Sequence, residues 1–314
     1  MLKVIDFHVH MPVEGLDRQF TDYYRRYEAR RGREKLELIR RWSREYEQKW
    51  LKDWGFPGPG PALEPVEGAA RWHAEAKAAG LKGVVFVTGG GNAALAQALA
   101  PYGGFFAGFA HHHPEEEDAA AMLAEAVTKH GLKGYKIFAP LVKKPLAHRS
   151  FEPLWQVAEK HGLPVLVHFG ILGGGGGIAA GENINPLSIA EVAKGYPTVP
   201  FVVPHFGCGY VRELLQLCWS CANVYVDTSG NNEWLRWYPE QLTLEDLFRR
   251  FYETVGPERI IFGSDSSWFP RGFARRYLEE QLRACRRLNL PSGAISQIFA
   301  GNARRLLEGV RHDG

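Results

Sequence analysis

Short runs of apolar, β-branched and aromatic residues recur along the chain, separated by stretches whose apolar positions follow a helical period. The runs are 4–10 (VIDFHVH), 83–88 (GVVFVT), 105–111 (FFAGFAH), 134–139 (GYKIFA), 164–169 (PVLVHF), 200–206 (PFVVPHF), 224–229 (VYVDTS) and 259–265 (RIIFGSD). Each predicts a strand. Helices are predicted over 116–130, 150–161, 209–221, 243–254 and 273–288. Ser150 stands where an N-cap is expected, and Gly131 and Gly162 where helices should stop. Near-continuous apolar strands alternating with helices imply a parallel sheet covered by helices. Eight such units predict a closed (β/α)₈ TIM barrel, of class α/β, rather than an open sheet. A single domain over 1–314 is expected.

Two segments exceed a minimal barrel. Residues 14–63 read as a helical insertion after the first strand, with a basic, aromatic stretch at 17–54 and then the breaker GFPGPGP at 55–61. Basic and aromatic residues together also suit single-stranded nucleic acid. Here interleaved Asp and Glu cancel most of the charge, so a lid or dimer contact, giving a homodimer, is the expectation. Residues 292–311 predict a terminal helix packed on the barrel's exterior.

Composition adds limits rather than direction. With 314 residues and 45% hydrophobic content, the chain can bury a full core unaided. A net charge of +3 gives no argument for nucleic acid or an anionic membrane as partner. Cys218 and Cys221 have CxxC spacing, but no second CxxC completes a zinc set, and reduced thiols are expected. Met1-Leu2-Lys3 leads straight into a strand pattern, with no apolar signal or membrane-length segment, so a cytoplasmic location is expected.

The chemistry lies at the strand ends. Asp6, His8 and His10 alternate in the first strand, and strict alternation would turn all three into the barrel with His10 nearest its mouth. His168 ends the fifth strand, His205 the sixth and Asp265 the eighth. In this fold those C-terminal ends converge on the active site.

HxH on strand 1, His on strands 5 and 6 and Asp on strand 8 resemble the amidohydrolase superfamily. The similarity is to the amidohydrolase-related branch that includes aminocarboxymuconate semialdehyde decarboxylase. The segments FGSDS at 262–266 and GNARRL at 301–306 resemble that branch's C-terminal pattern. The resemblance implies that His8, His10, His168 and Asp265 hold one divalent metal, zinc first and manganese as the alternative. It implies that His205 serves as general acid/base or substrate contact beside an activated water, with Asp265 helping to orient or deprotonate that water. Asp6 reads as a supporting carboxylate rather than a ligand.

Weaker candidates surround this set. Lys136 on strand 4 reads as an anion-binding or carboxylate-pairing lysine in preference to a carboxylated bridge between two metals. His111, Arg271 and Trp268 are weak substrate contacts, and Asp227 and Ser229 weak pocket residues. The glycine run 173–177 reads as an active-site loop, and Asn302 as a helix cap. The function expected is metal-dependent hydrolysis of a small lactone, amide or ester. Non-oxidative decarboxylation of an aromatic or unsaturated acid is the alternative, and a non-catalytic metal-containing binding protein is the third reading.

Overall fold

The computed structural model describes residues 2–11, 18–173, 177–178 and 181–312, and within them all eight expected strands form. They are β1 (Ile5–His10), β2 (Gly83–Thr88), β3 (Phe106–Gly108), β4 (Tyr135–Phe138), β5 (Val165–His168), β6 (Phe201–Val203), β7 (Val224–Asp227) and β8 (Ile260–Ile261). The helices are α1 (Arg18–Arg31), α2 (Arg33–Trp54), α3 (Pro65–Ala78), α4 (Asn92–Leu99), α5 (Ala119–Thr128), α6 (Glu152–His161) and α7 (Ala190–Gly195). They continue as α8 (Val211–Ser220), α9 (Leu244–Val255), α10 (Arg275–Arg287), α11 (Ser292–Ser296) and α12 (Asn302–Glu308).

Parallel pairing runs from β1 to β3 and from β4 to β8. Backbone hydrogen bonds close both seams between these arcs. At one, the Ala110 N–H donates to Gly134 O at 2.9 Å and the Lys136 N–H to Ala110 O at 2.7 Å. At the other, the Asp265 N–H reaches His8 O at 2.8 Å and the His10 N–H reaches Ser266 O at 2.8 Å. Among the described residues no strand edge remains unpaired, and the sheet is a barrel.

Two apolar layers follow from strand alternation. Ile5, Phe7, Val85, Val87, Phe109, Leu166, Val202 and Ile261 fill the interior. The opposite faces pack outward against helices, as where Phe86 meets Trp72 of α3. Ala300, Ala303 and Leu306 belong to the interior cluster. The C-terminal segment therefore plugs the bottom of the barrel instead of lying on its exterior as expected. It does so across a π-turn at Gln297–Gly301, and Asn302 Nδ2 donates to Pro257 O and Ile260 O, tying the plug to β8.

Local stops behave as their residues dictate. Gly162 closes α6 in the left-handed region, at φ 63, with its N–H returned to the last turn. Gly131, at φ 66, follows α5 in the same way. Ser150 is not a cap: it lies in a 3₁₀ turn and its N–H donates to the His148 ring, while α6 begins at Glu152 with Pro153 in its first turn. The helix expected at 243–254 starts with a capping box between Thr243 and Asp246.

The insertion forms α1 and α2, broken at Gly32 (φ 88), and α2 ends at Gly55 in the left-handed region. Residues 14–17 of the insertion and 174–176 of the glycine run lie outside the described residues. Among the described residues no helix is long and apolar enough to cross a membrane. Cys218 and Cys221 are buried free thiols.

Candidate metal centre

The strand register places the histidines by breaking alternation. Pairing between β1 and β2 shifts between Asp6 and Val9. Ile5 and Phe7 point into the barrel, Val9 packs outward in the helix-facing layer, and His8 and His10 end up with ring centroids 5.1 Å apart. Asp6 does not share their face, as strict alternation had implied. It is turned to the β8 end, where it accepts the Ser264 N–H at 2.9 Å and the Ser264 hydroxyl at 2.5 Å. Burial pushes its carboxyl up to about 7, against those hydrogen bonds.

Each histidine of β1 has one ring nitrogen anchored. His8 Nδ1 lies 2.6 Å from Asp227 Oδ2, and His10 Nδ1 lies 2.7 Å from Thr88 Oγ1. A carboxylate accepts only, so His8 carries its proton on Nδ1 and leaves Nε2 with a lone pair. That Nε2 is buried, has no hydrogen-bond partner among the described residues, and lies 3.7 Å from Asp265 Oδ1. His10 Nε2 is 3.2 Å from the same oxygen.

His205 completes the group. Its ring centroid is 5.2 Å from that of His8 and 5.1 Å from that of His168. Its Nδ1 is held by Ser229, 3.2 Å from the carbonyl oxygen and 2.9 Å from the hydroxyl. His205 and Asp265 both have φ 57, a left-handed conformation that costs a non-glycine residue about 1–3 kcal/mol. Strain at these two positions marks a site whose geometry the surrounding fold enforces.

The electrostatics favour a cation here. Burial alone would raise the Asp265 carboxyl. The hydrogen bond from His10 and the electrostatics of the neighbouring His205, His8 and His10 rings instead hold it well below the usual carboxylate range. Burial pushes His8 and His168 well below the usual histidine value, and the Lys136 ammonium adds to this, so both rings stay neutral. Neutral imidazoles and an ionised carboxylate are the donor set of a divalent transition metal. A lone pair buried at His8 Nε2 without a partner is the observation that such an ion would explain. One donor atom each of His8, His205 and Asp265 lie within 4.8 Å of one another. This triad includes His205, which the sequence had placed beside the metal rather than on it. The described residues of the site thus fit a metal, with His10 against Asp265 and His168 against His205 at its edges.

A cavity of about 550 Å³ opens over the cluster. His168, His205 and Asp265 form its floor, and Asp265 exposes 37% of its side chain there. Trp50, Tyr46, Glu47 and Ser43 of α2 form one wall, and residues 229–237 after β7 form another. The insertion is therefore part of the site. Gly230 is required between them: its φ is +83, and a Cβ there would stand 3.3 Å from His205 Nδ1 and 3.8 Å from Asp265 Oδ2.

Of the weaker candidates, Ser229 and Gly173 of the glycine run line the cavity, whereas Lys136, His111, Arg271 and Trp268 are not brought to its wall. Lys136 lies inside the barrel beneath the histidines, with its ammonium 4.9 Å from the Phe138 ring centroid. Both ring nitrogens of His111 serve the backbone: Nε2 accepts the Gly91 N–H at 3.0 Å and Nδ1 faces Phe109 O at 3.2 Å. Arg271 stacks on Trp268 at 3.7 Å and donates to Asp265 O at 2.9 Å, which makes it a brace behind the site. Trp268 in turn donates from Nε1 to Pro57 O at 3.0 Å, fastening the insertion. Thr88 as anchor of His10 was missed in the sequence, although it ends the second strand at the same level.

A protein-family model described as amidohydrolase matches residues 5–309. Among solved structures, the chain is similar to 5-carboxyvanillate decarboxylase of Novosphingobium aromaticivorans complexed with manganese, at 17% identity and TM-score 0.64, covering 98% of this chain and 96% of that one. It is similar to a probable 2-pyrone-4,6-dicarboxylic acid hydrolase of Acinetobacter baumannii, at 13% identity and TM-score 0.59, covering 98% and 100%. It is also similar to an amidohydrolase of Burkholderia multivorans with bound zinc, at 13% identity and TM-score 0.61, covering 98% and 99%. These likenesses show the fold. No curated protein matched the sequence.

Proposed function

The chain belongs to the amidohydrolase family, and from that premise we propose that it hydrolyses a small lactone, amide or ester with a water activated at one divalent metal. The observation that carries this reading is the buried, unpartnered Nε2 of His8, on a ring whose other nitrogen is given to Asp227. His8 and Asp265, which the fold brings together with His205, would hold the metal with His10 and His168, the set that the family resemblance implies. Zinc suits the imidazole-rich set, and the structural neighbours cited above include one with zinc and one with manganese. When bound, the metal polarises a carbonyl and lowers the pKa of a water toward neutrality.

The chain's own residues supply the rest. The Ser229 carbonyl accepts from His205 Nδ1, so the other ring nitrogen is free to take and return a proton. Asp265, held ionised, orients the attacking water and accepts from it. Trp50 and the wall after β7 flank the place of the carbonyl in the cavity.

Decarboxylation is the second reading, favoured by the aromatic walls of Trp50, Trp234 and Trp237, which suit a flat aromatic acid. The same panel decides between them. Metal-loaded protein is assayed for ring opening or ester and amide cleavage, and in parallel for CO₂ release from aromatic acids. Cleavage without CO₂ supports hydrolysis, and CO₂ without cleavage replaces it with decarboxylation. His205→Ala should abolish whichever turnover is found while retaining the metal.

A further inference from the structure

The wall after β7 carries two carboxamides, Asn231 and Asn232, that the protein leaves partly unsatisfied. Asn231 Oδ1 accepts the Glu233 N–H at 3.1 Å, which fixes that amide and presents its Nδ2 as a donor. Nδ2 is buried with no partner among the described residues. Asn232 is only 6% exposed, and its Oδ1 is likewise buried without a partner. Both residues line the cavity over the histidines. Two adjacent buried amides with open valences are costly in a folded core and sensible in a binding wall, where a ligand supplies the missing bonds.

The charge on the same walls limits what that ligand is. Among the described lining residues, histidines aside, Glu47, Glu233 and Asp265 face one cationic side chain, Arg236. Arg236 is already paired with Glu233 at 3.0 Å. A first carboxylate or carbonyl on the ligand has the metal end of the cavity. A second carboxylate would stand near Glu47 and Glu233, and the one cation among the described lining residues, Arg236, is already paired.

We infer that Asn231 and Asn232 form a specificity subsite for an uncharged oxygen or nitrogen substituent, and that the ligand is a flat unsaturated ring with at most one carboxylate. The inference rests on the metal-centred reading above and names its substrate class. The rings of Trp50, Trp234 and Trp237 supply apolar walls for the flat part, and the two amides read its far edge. Asn231 donates to an acceptor there, and the amide of Asn232 complements a neighbouring hydroxyl or carbonyl.

The test is calorimetric titration of zinc-loaded protein with 4-hydroxybenzoate and with 4-hydroxyisophthalate, which differ by one carboxylate. The mono-acid should bind at least thirtyfold more tightly. Asn231→Leu and Asn232→Leu should each weaken it at least tenfold, with Asn→Ser at either position as the substitute if unfolding curves show a lost fold. Glu233→Gln, which releases Arg236, should narrow the gap between the two acids to under fivefold. Equal or tighter binding of the diacid, binding of neither, or indifference to both asparagines would overturn the inference. Zinc content measured on the same samples separates the causes. Zinc-containing protein that prefers the diacid defeats this inference alone, whereas protein that holds no zinc defeats the metal-centred reading and this with it.

Discussion

His8 Nδ1 and Asp227 Oδ2 stand 2.6 Å apart, both fully buried, joining β1 to β7 across the barrel. The other Asp227 oxygen accepts the Ser229 N–H at 2.7 Å, so the carboxylate is fixed from both sides. This pair decides which His8 nitrogen faces the cluster. Carboxylate partners of this kind typically change metal affinity about 10–100-fold when removed. Asp227→Asn should therefore weaken zinc binding by about that factor with the fold intact, as measured by competition with a chelator. Unchanged affinity would remove Asp227 from the metal account.

Gly230 separates structure from chemistry. Gly230→Ala adds a Cβ at φ +83 and presses on His205 Nδ1 while leaving His8, His10 and His168 untouched. Turnover should fall about 100-fold, the size expected when a reacting group is misplaced by about 1 Å, with metal content unchanged. Equal turnover would mean that His205 needs no fixed orientation.

His111 predicts a pH signature of its own. Burial lowers its pKa from 6.5 to about 4, so the fold holds it neutral. The unfolded chain binds the extra proton first as pH falls below 6.5. The stability linked to the neutral ring is complete above that pH, is lost progressively as pH falls from 6.5 toward 4, and amounts to about 3 kcal/mol. Urea midpoints of the native chain should drop more steeply over this window than those of His111→Gln. Parallel curves would show that His111 does not titrate differently on folding.

Much of this was legible in the sequence because strands in a barrel are long apolar runs ending in polar residues. All eight strands and the convergence of His8, His10, His168, His205 and Asp265 come from that pattern. Two things were not legible. The shift in β1 between Asp6 and Val9 depends on how β1 pairs with β2, and nothing local in VIDFHVH announces it. The role of the C-terminal helix depends on Ala300, Ala303 and Leu306 being small enough to enter the barrel's end, whereas the same pattern fits an exterior helix equally well. His111 misled for a related reason: a histidine after a strand can serve substrate or backbone, and only the positions of Gly89 and Gly91 decide it.

Arg271 ties the insertion to the site, stacked on Trp268 at 3.7 Å with Phe56 at 5.3 Å beyond. Arg271→Lys keeps a charge but loses the planar stack and its directed donor to Asp265 O. Cation–π contacts of this kind contribute about 0.5–2 kcal/mol. Limited proteolysis should then cut within α1 and α2 faster than in the native chain, and KM should rise more than kcat falls. Unchanged proteolysis would show that the insertion is held by other contacts.

The central claim is a single metal at the end of β1, and elemental analysis of protein purified without chelator tests it most directly. One zinc or manganese per chain, lost in His8→Ala and in Asp265→Ala but kept in His205→Ala, is the expected result. Two metals per chain would contradict the single site and recast Lys136 as a bridge. None, even after zinc or manganese is added back, would contradict the account at its root.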